Sequence, residues 1–299
     1  YEELMNSRYL EYLVALSNYR HFGKAAQACF VGQPALSMQI QRLEAVLGVK
    51  LLERGNKSVL LTDIGLAITE RARHILTQVN EIHDLARLAK DPYSGELRIG
   101  VIPTLAPYLL PLIIPSLSQQ FAKIHFYLVE EQTAYLIQKL KTGVLDVAFL
   151  ALPVEEPQFI TEFLFEEEFL LAVPKKHPLA QQKTIQQKDL KLQNLLLLEE
   201  GHCMRGQTLA LCQQMQAFEV QNFRATSLET LRQMVASGNG ITLMPQLAQQ
   251  SNDGISYIPF SPPKPVRSIG LCWRASSVKD VLFAALVLQI KNIIRQKIG

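Results

Sequence analysis

Ile68, Ala72, Ile75, Val79, Ile82, Ala86 and Ala89 recur at alternating intervals of four and three residues. A seven-residue repeat has a period of about 3.5, so a helix carrying it shows a narrow apolar seam, not the broad stripe of a helix laid on its own domain. Such a seam is satisfied by the same seam on a second copy. Residues 63–92 therefore read as a long dimerisation helix, which divides the 299-residue chain into a short piece before it and a longer one after. A chain of this length is expected to form more than one unit in any case. The competing reading is a long helix packed within its own domain.

Ahead of the seam, Tyr9, Leu10, Tyr12, Leu13 and Leu16 mark a helix with one apolar face, running on through His21 and Phe22 to Gly23. A second helix is predicted over Lys24–Val31, with Gly32 breaking it. Pro34 then suits the first turn of a third helix, Ala35–Leu47, because the missing N–H is not needed there. Two short helices around a tight turn describe a helix-turn-helix. Leu36, Ile40 and Leu43 form the inward stripe, while Gln33, Pro34, Ala35, Ser37, Met38 and Gln41 occupy the exposed start. Small side chains admit the backbone to a major groove, and Gln or Ser reaches base edges. After Gly48, two extended pieces between Leu51 and Leu61 flank the turn Gly55-Asn56 and read as a wing, offering Arg54 and Lys57 to phosphates. Residues 20–60 hold six Lys or Arg against Glu44 and Glu53, a net +4, whereas the whole chain is +3. The basic excess is local and points to a polyanion. A generic three-helix domain with a hairpin would share the pattern without binding DNA.

Beyond the turn-forming stretch Asp91–Gly95, strands alternate with helices: Leu97–Ile102 before Pro103–Gln120, Phe126–Glu130 before Thr133–Thr142, and Val147–Ala151 before a loop. That alternation predicts an α/β unit with mainly parallel strands, whose ligands bind beyond the carboxyl ends of the strands. Thr104, Thr133, and His202 with Cys203 each follow a predicted strand, so three distant segments deliver polar groups to one crevice. The four cysteines are too sparse for a disulfide scaffold and lack paired metal-ligand spacing. No metal or cofactor is expected. No apolar run spans a bilayer and no leader pattern is seen, so a cytoplasmic chain without a membrane partner is expected.

Cys203 and Cys212 stand nine residues apart in a stretch rich in helix formers, interrupted by Gly206. In a helix, nine residues separate the thiols by about 13 Å along the axis, on opposite faces. A disulfide tolerates at most about 7 Å between Cα atoms, so oxidation would demand unwinding. Cys203 falls near the expected N-terminus, where the helix dipole, His202 and Arg205 favour thiolate while Glu199 and Glu200 oppose it. Two core cysteines that never meet remain the alternative. Cys29 and Cys272 read as core residues.

Ala25-Ala26, Gln33-Pro34-Ala35-Leu36-Ser37, Gln39-Ile40-Gln41-Arg42-Leu43-Glu44, Leu47-Gly48, Leu51-Leu52-Glu53-Arg54, Thr62 and Gly65 together resemble the winged helix-turn-helix of LysR-type transcriptional regulators. Gly32 stands where Ser is common in that family, and Met38 where many members carry Arg. Met5 resembles the family's start, which would make residues 1–4 additions. The resemblance implies an α+β multidomain fold: a winged helix-turn-helix over 5–62, a linker helix over 63–92, and over 95–299 an effector domain like a periplasmic binding protein. Its two subdomains would cover about 95–166 with 269–299, and 167–268. Gly100–Thr104, Glu131–Thr133 and Gly201–Arg205 with Cys212 resemble the peroxide-sensing members, although Met204 and Gly206 vary within the last segment. By that resemblance Cys203 is the peroxidatic thiol and Cys212 the resolving one, with Thr104, Thr133, His202 and Arg274 orienting the peroxide. Also implied are double-stranded DNA with a palindromic operator, hydrogen peroxide as signal, RNA polymerase, and a dimer of dimers. Peroxide chemistry would run once as a switch, not as enzymatic turnover. A LysR-type regulator of a small organic effector and a thiol peroxidase are the competing functions.

Overall fold

The computed structural model describes residues 6–53 and 59–297. In the first unit, α1 (Ser7–Tyr19) is capped by the Asn6 side chain, which accepts the Arg8 N–H, and ends at Arg20 in the left-handed region. Helix α2 (Phe22–Ala28) stops earlier than the composition suggests, because Cys29 caps it and Phe30 turns left-handed at φ 56°. Helix α3 (Gln33–Leu47) begins at its Gly32 cap and ends at Gly48, φ 67°. Leu13, Leu16, Ala25, Leu36, Ile40, Leu43 and Leu51 close the core between the three helices.

Glu44 is buried at the end of this arrangement. Its carboxylate accepts the Leu51 N–H at 2.9 Å, the Leu52 N–H at 3.3 Å and the Lys50 ammonium at 2.6 Å. Burial alone would raise its pKa, but those hydrogen bonds outweigh it and hold the carboxyl below its ordinary range. The acid thereby locks the end of α3 to the extended piece that begins at Leu51. Leu52 and Leu61 bridge antiparallel, as two extended pieces require; Arg54, Gly55, Asn56 and Lys57 lie outside the described residues. Helix α4 (Asp63–Leu88) then crosses the wing entry at Gly65, where a Cβ would sit 2.2 Å from the Leu51 carbonyl oxygen. Only glycine permits that approach. Ala72 is buried and Ile68 half-buried within this unit, but Ile75, Ile82 and Leu85 are 43%, 65% and 53% exposed. Within this unit, the described residues leave the lower seam open.

The second unit runs β1 (Gly95–Val101), α5 (Ala106–Gln120), β2 (Ile124–Glu130), α6 (Thr133–Lys141), β3 (Val147–Ala151), β4 (Phe159–Pro174), β5 (Asn194–Leu198), α7 (Cys203–Met215), β6 (Phe218–Ala225), α8 (Leu228–Ala236), β7 (Thr242–Pro245), β8 (Ile255–Pro259), β9 (Val266–Arg274) and α9 (Asp280–Lys297). One sheet is ordered β2-β1-β3-β9-β4-β7, with β8 also on β4, and β5 pairs with β6. The expectation of mainly parallel strands is corrected: β1 with β2, β1 with β3, and β5 with β6 are parallel, whereas β9 with β3, and β4 with β7, β8 and β9, are antiparallel. The sixteen-residue β4 leaves one half of the unit for the other, and β9 returns, so the two crossing strands run opposite ways. Two hydrophobic cores result, one drawing on Leu97–Phe165 and Ile269–Ile294, the other on Phe169–Phe260.

Candidate functional site

At the start of α3, Gln33, Pro34, Ala35, Met38 and Gln41 are exposed and Ser37 is half-buried. The inward residues Leu36 and Ile40 fix that orientation by burial. Phe30 lies in the turn between α2 and α3 and was not among the expected residues. Its side chain is 95% exposed and its backbone left-handed, both unfavourable for an aromatic residue. The signal available in the sequence was only a large aromatic placed directly in the turn.

In the second unit a cavity of about 810 Å³ opens where the strands end. Pro103 and Tyr108 follow β1, Glu131 and Gln132 follow β2, Glu199 and His202 follow β5, and Thr226 and Ser227 follow β6; all line it. The β2 and β5 loops meet at Gly201. This residue has φ 95°, and a Cβ would lie 2.3 Å from the Gln132 side-chain oxygen. His202 is buried at the N-cap of α7. Thr133 opens α6, and its buried hydroxyl has no hydrogen-bond partner among the described residues.

Thr104 is buried, and its surroundings were not legible in the sequence. Its hydroxyl oxygen accepts from Arg267 Nη1 at 2.8 Å, and its carbonyl accepts from Nη2 at 3.1 Å. A guanidinium has no acceptor, so the Thr104 proton remains available for donation. Arg267 also pairs with the buried carboxylate of Glu167 at 2.7 Å and lies 5.8 Å over the Phe169 ring. Glu167 in turn accepts the Leu247 N–H at 3.0 Å.

Arg274 needs correction. Strand β9 runs antiparallel to β3, with Ile269 opposite Ala151 and Trp273 opposite Val147. Its last residue therefore lies at the end of the sheet where β3 begins, while Thr104 lies beyond the end where β1 and β3 finish. Arg274 donates to the carbonyls of Leu140 and Leu145 instead. The arginine brought to Thr104 is Arg267, at the opposite end of the same strand.

The helix predicted between the cysteines is present as α7, and it starts at Cys203 itself. Cys203 is half-buried and packs against the first core, while Cys212 is buried in the second. Burial, and secondarily the Glu219 carboxylate, push the Cys212 thiol up. Arg205 does not serve as a free cation beside Cys203. Its guanidinium binds both Glu219 oxygens, at 2.8 and 3.0 Å, and the Leu198 carbonyl at 2.9 Å, which braces α7 against β5 and β6. Cys272 is a core residue, pushed up to about 11 by burial. Cys29 is only half-buried, at the cap of α2. Among the described residues no cluster of His, Cys, Asp and Glu is suited to a metal, and no helix is long and apolar enough to cross a membrane.

Residues 90–293 match the LysR substrate binding domain, and residues 7–66 match the bacterial regulatory helix-turn-helix protein, lysR family. The chain belongs to the LysR family. Among similar proteins is the DNA-binding transcriptional dual regulator OxyR of Escherichia coli strain K12, 48% identical over 91% of this chain and 90% of the relative. A hydrogen peroxide-inducible genes activator of Haemophilus influenzae is 45% identical over 91% of this chain and 92% of its own. A full-length OxyR variant from Pseudomonas aeruginosa has a TM-score of 0.78 at 37% identity, covering 96% of this chain and 98% of its own. The cavity lining, α7 and the second core fall within the LysR substrate-binding region, as does the first core except Ile294.

Proposed function

We propose that this chain is a DNA-binding transcription regulator that hydrogen peroxide switches through a reversible Cys203–Cys212 disulfide. The observation that carries the reading is the seating of one helix's two thiols in two different cores. About 13 Å of helix axis separates them, so the bond cannot close while α7 is wound. The identity, over nine-tenths of the chain, to the dual regulator OxyR and to a hydrogen peroxide-inducible genes activator supports the same conclusion.

The Cys203 thiolate attacks one peroxide oxygen, the O–O bond breaks, and the departing hydroxide takes a proton to leave as water. Thr104, oriented by Arg267, and Thr133 and His202 from the neighbouring loops supply the hydrogen bonds for that departure. The Cys212 thiol then attacks the sulfenic sulfur, a second water leaves, and the disulfide forms. Two thiols are oxidised and one peroxide is reduced to two waters. Unwinding α7 moves Cys212 out of its core and repacks the sensor. One such event per chain throws the switch, so no enzymatic turnover is involved.

The reading head covers 5–62, with Gln33, Pro34, Ala35, Ser37, Met38 and Gln41 toward the bases and Arg54 and Lys57 toward phosphates. The linker covers 63–92, and Ile68, Ala72, Ile75, Val79, Ile82 and Ala86 pair with a second copy to set two heads on a palindromic operator. The sensor covers 95–299, its subdomains joined by β4 and β9. Dimers associate in pairs, act in the cytoplasm and engage RNA polymerase. Mass mapping of non-reduced peptides after low peroxide tests the mechanism: a Cys203–Cys212 linkage is expected, and persistently reduced thiols would sink it. The 810 Å³ cavity favours a second reading, in which a small organic effector sets the response. That reading predicts a ligand-dependent DNA footprint which survives Cys203→Ser.

A further inference from the structure

A smaller cavity of about 380 Å³ opens beside α7, between that helix and the segment leading into β9. Its apolar walls are Phe169, Leu211, Leu243, Pro263, Pro265 and Val266, and no charged side chain is among its described lining. The volume falls in the range of about 300–1,000 Å³ typical of small-molecule sites. Two adjacent residues of α7, Gln207 and Thr208, form part of the wall, and both carry a buried oxygen without a hydrogen-bond partner among the described residues. Thr208 is only 2% exposed. A buried oxygen left unmet is costly, and native structures seldom tolerate it without a partner that completes the site. An occupant that reaches these oxygens must bring what each of them lacks. Gln207 Oε1 requires a donor, and the Thr208 hydroxyl takes either role. The absence of charge in the lining excludes an ion, which would be buried without a counter-charge.

The cavity is also connected to the proposed chemistry. Phe169 lines it and lies under the Arg267 guanidinium, which holds Thr104. Helix α7, the other wall, carries Cys203 and Cys212. We propose that this cavity binds a small neutral amphiphile, an apolar ring or chain bearing an amide or hydroxyl group, and that occupancy keeps α7 wound and slows disulfide closure. The binding stands on the cavity alone; the effect on closure rests on the redox reading above.

Benzamide is a suitable probe, since it is neutral and carries both donors and an acceptor on an apolar ring. Titrated into the reduced full chain, it is expected to shift the methyl resonances of Thr208, Leu211 and Leu243 saturably. Thr208→Val keeps the shape and removes the hydroxyl, so it should weaken binding about fivefold while leaving thermal stability unchanged or higher. Saturating benzamide should slow peroxide-driven disulfide closure about threefold or more. The site is overturned if those methyls do not respond up to about 10 mM, if Thr208→Val binds equally well, or if shifts are confined to Leu228 and other residues of the larger cavity. Binding without any change in closure rate overturns the regulatory part. If no disulfide forms with or without benzamide, it is the redox reading that has failed, and the methyl shifts still judge the site.

Discussion

Replacing Glu219 by Gln is expected to loosen α7 without disturbing either core. In the wild-type chain the two Glu219 oxygens hold Arg205 at 2.8 and 3.0 Å, with side chains 10% and 11% exposed. Hydrogen bonds to a charged group at such a site contribute about 1.5–3 kcal/mol. Glutamine keeps one acceptor, and Arg205 keeps the Leu198 carbonyl, so the loss is put at about 1–2 kcal/mol. If that brace acts on the wound helix alone, the unwound fraction rises about five- to thirtyfold. Cys212 reports the opening directly, because at 2% exposure it is alkylated only when α7 opens. In a Cys203→Ser background, the iodoacetamide labelling rate of Cys212 should therefore rise by that factor, and amide exchange along α7 should accelerate in parallel. The pH dependence has a defined sign. Hydrogen bonding by Arg205 lowers the Glu219 pKa, so the brace is at full strength above the ordinary carboxyl value of 4.5 and fades as the pH falls through the lower folded-state value. The exchange difference between wild type and variant should be complete at neutral pH and shrink in acid. Labelling and exchange within twofold of wild type at neutral pH would show that the Arg205–Glu219 pair does not hold the helix, on the scale of about 0.4 kcal/mol.

Arg267→Met strands the buried Glu167 carboxylate and should cost about 3–5 kcal/mol in thermal or denaturant unfolding. Adding Glu167→Gln should restore most of that stability, yet peroxide oxidation of Cys203 should stay about 10- to 100-fold slow because Thr104 has lost its anchor; recovery of the rate in the double variant would refute the assignment. Ile82→Glu should raise the dimer dissociation constant by at least about 100-fold with the protomer's melting unchanged, since Ile82 is 65% exposed; a dimer that persists in sedimentation would rule out the seam. Phe30→Gly removes an aromatic residue from a left-handed position, so stability should hold or rise by up to about 1 kcal/mol. Its operator affinity in a titration should fall, and unaltered affinity would remove Phe30 from the reading surface.

Much of this architecture was legible because its signals are local. Pro34 and Gly48 mark the ends of the reading helix, Leu36, Ile40 and Leu43 mark its inward face, and the helix between Cys203 and Cys212 follows from its composition. The seam repeat marked α4, and the exposure of Ile75 and Ile82 agrees with an apolar face that the described residues of its own unit do not cover. Strand direction was not local. Val147–Ala151 and Ile269–Arg274 read alike as apolar strands, and nothing in either says that they pair antiparallel. That single fact exchanges the two ends of β9, removing Arg274 from the crevice and bringing Arg267 to Thr104. Arg205 shows the same limit: its nearness in sequence to Cys203 suggested one partner, and Glu219, fourteen residues away, took it. The sequence by itself determined the helices, the seam, and the spacing that forbids a disulfide in a wound helix, because each depends on neighbours within a few turns. The tertiary structure alone decided which buried charges meet, because a guanidinium taken from water goes to whichever carboxylate the crossing strands carry to it.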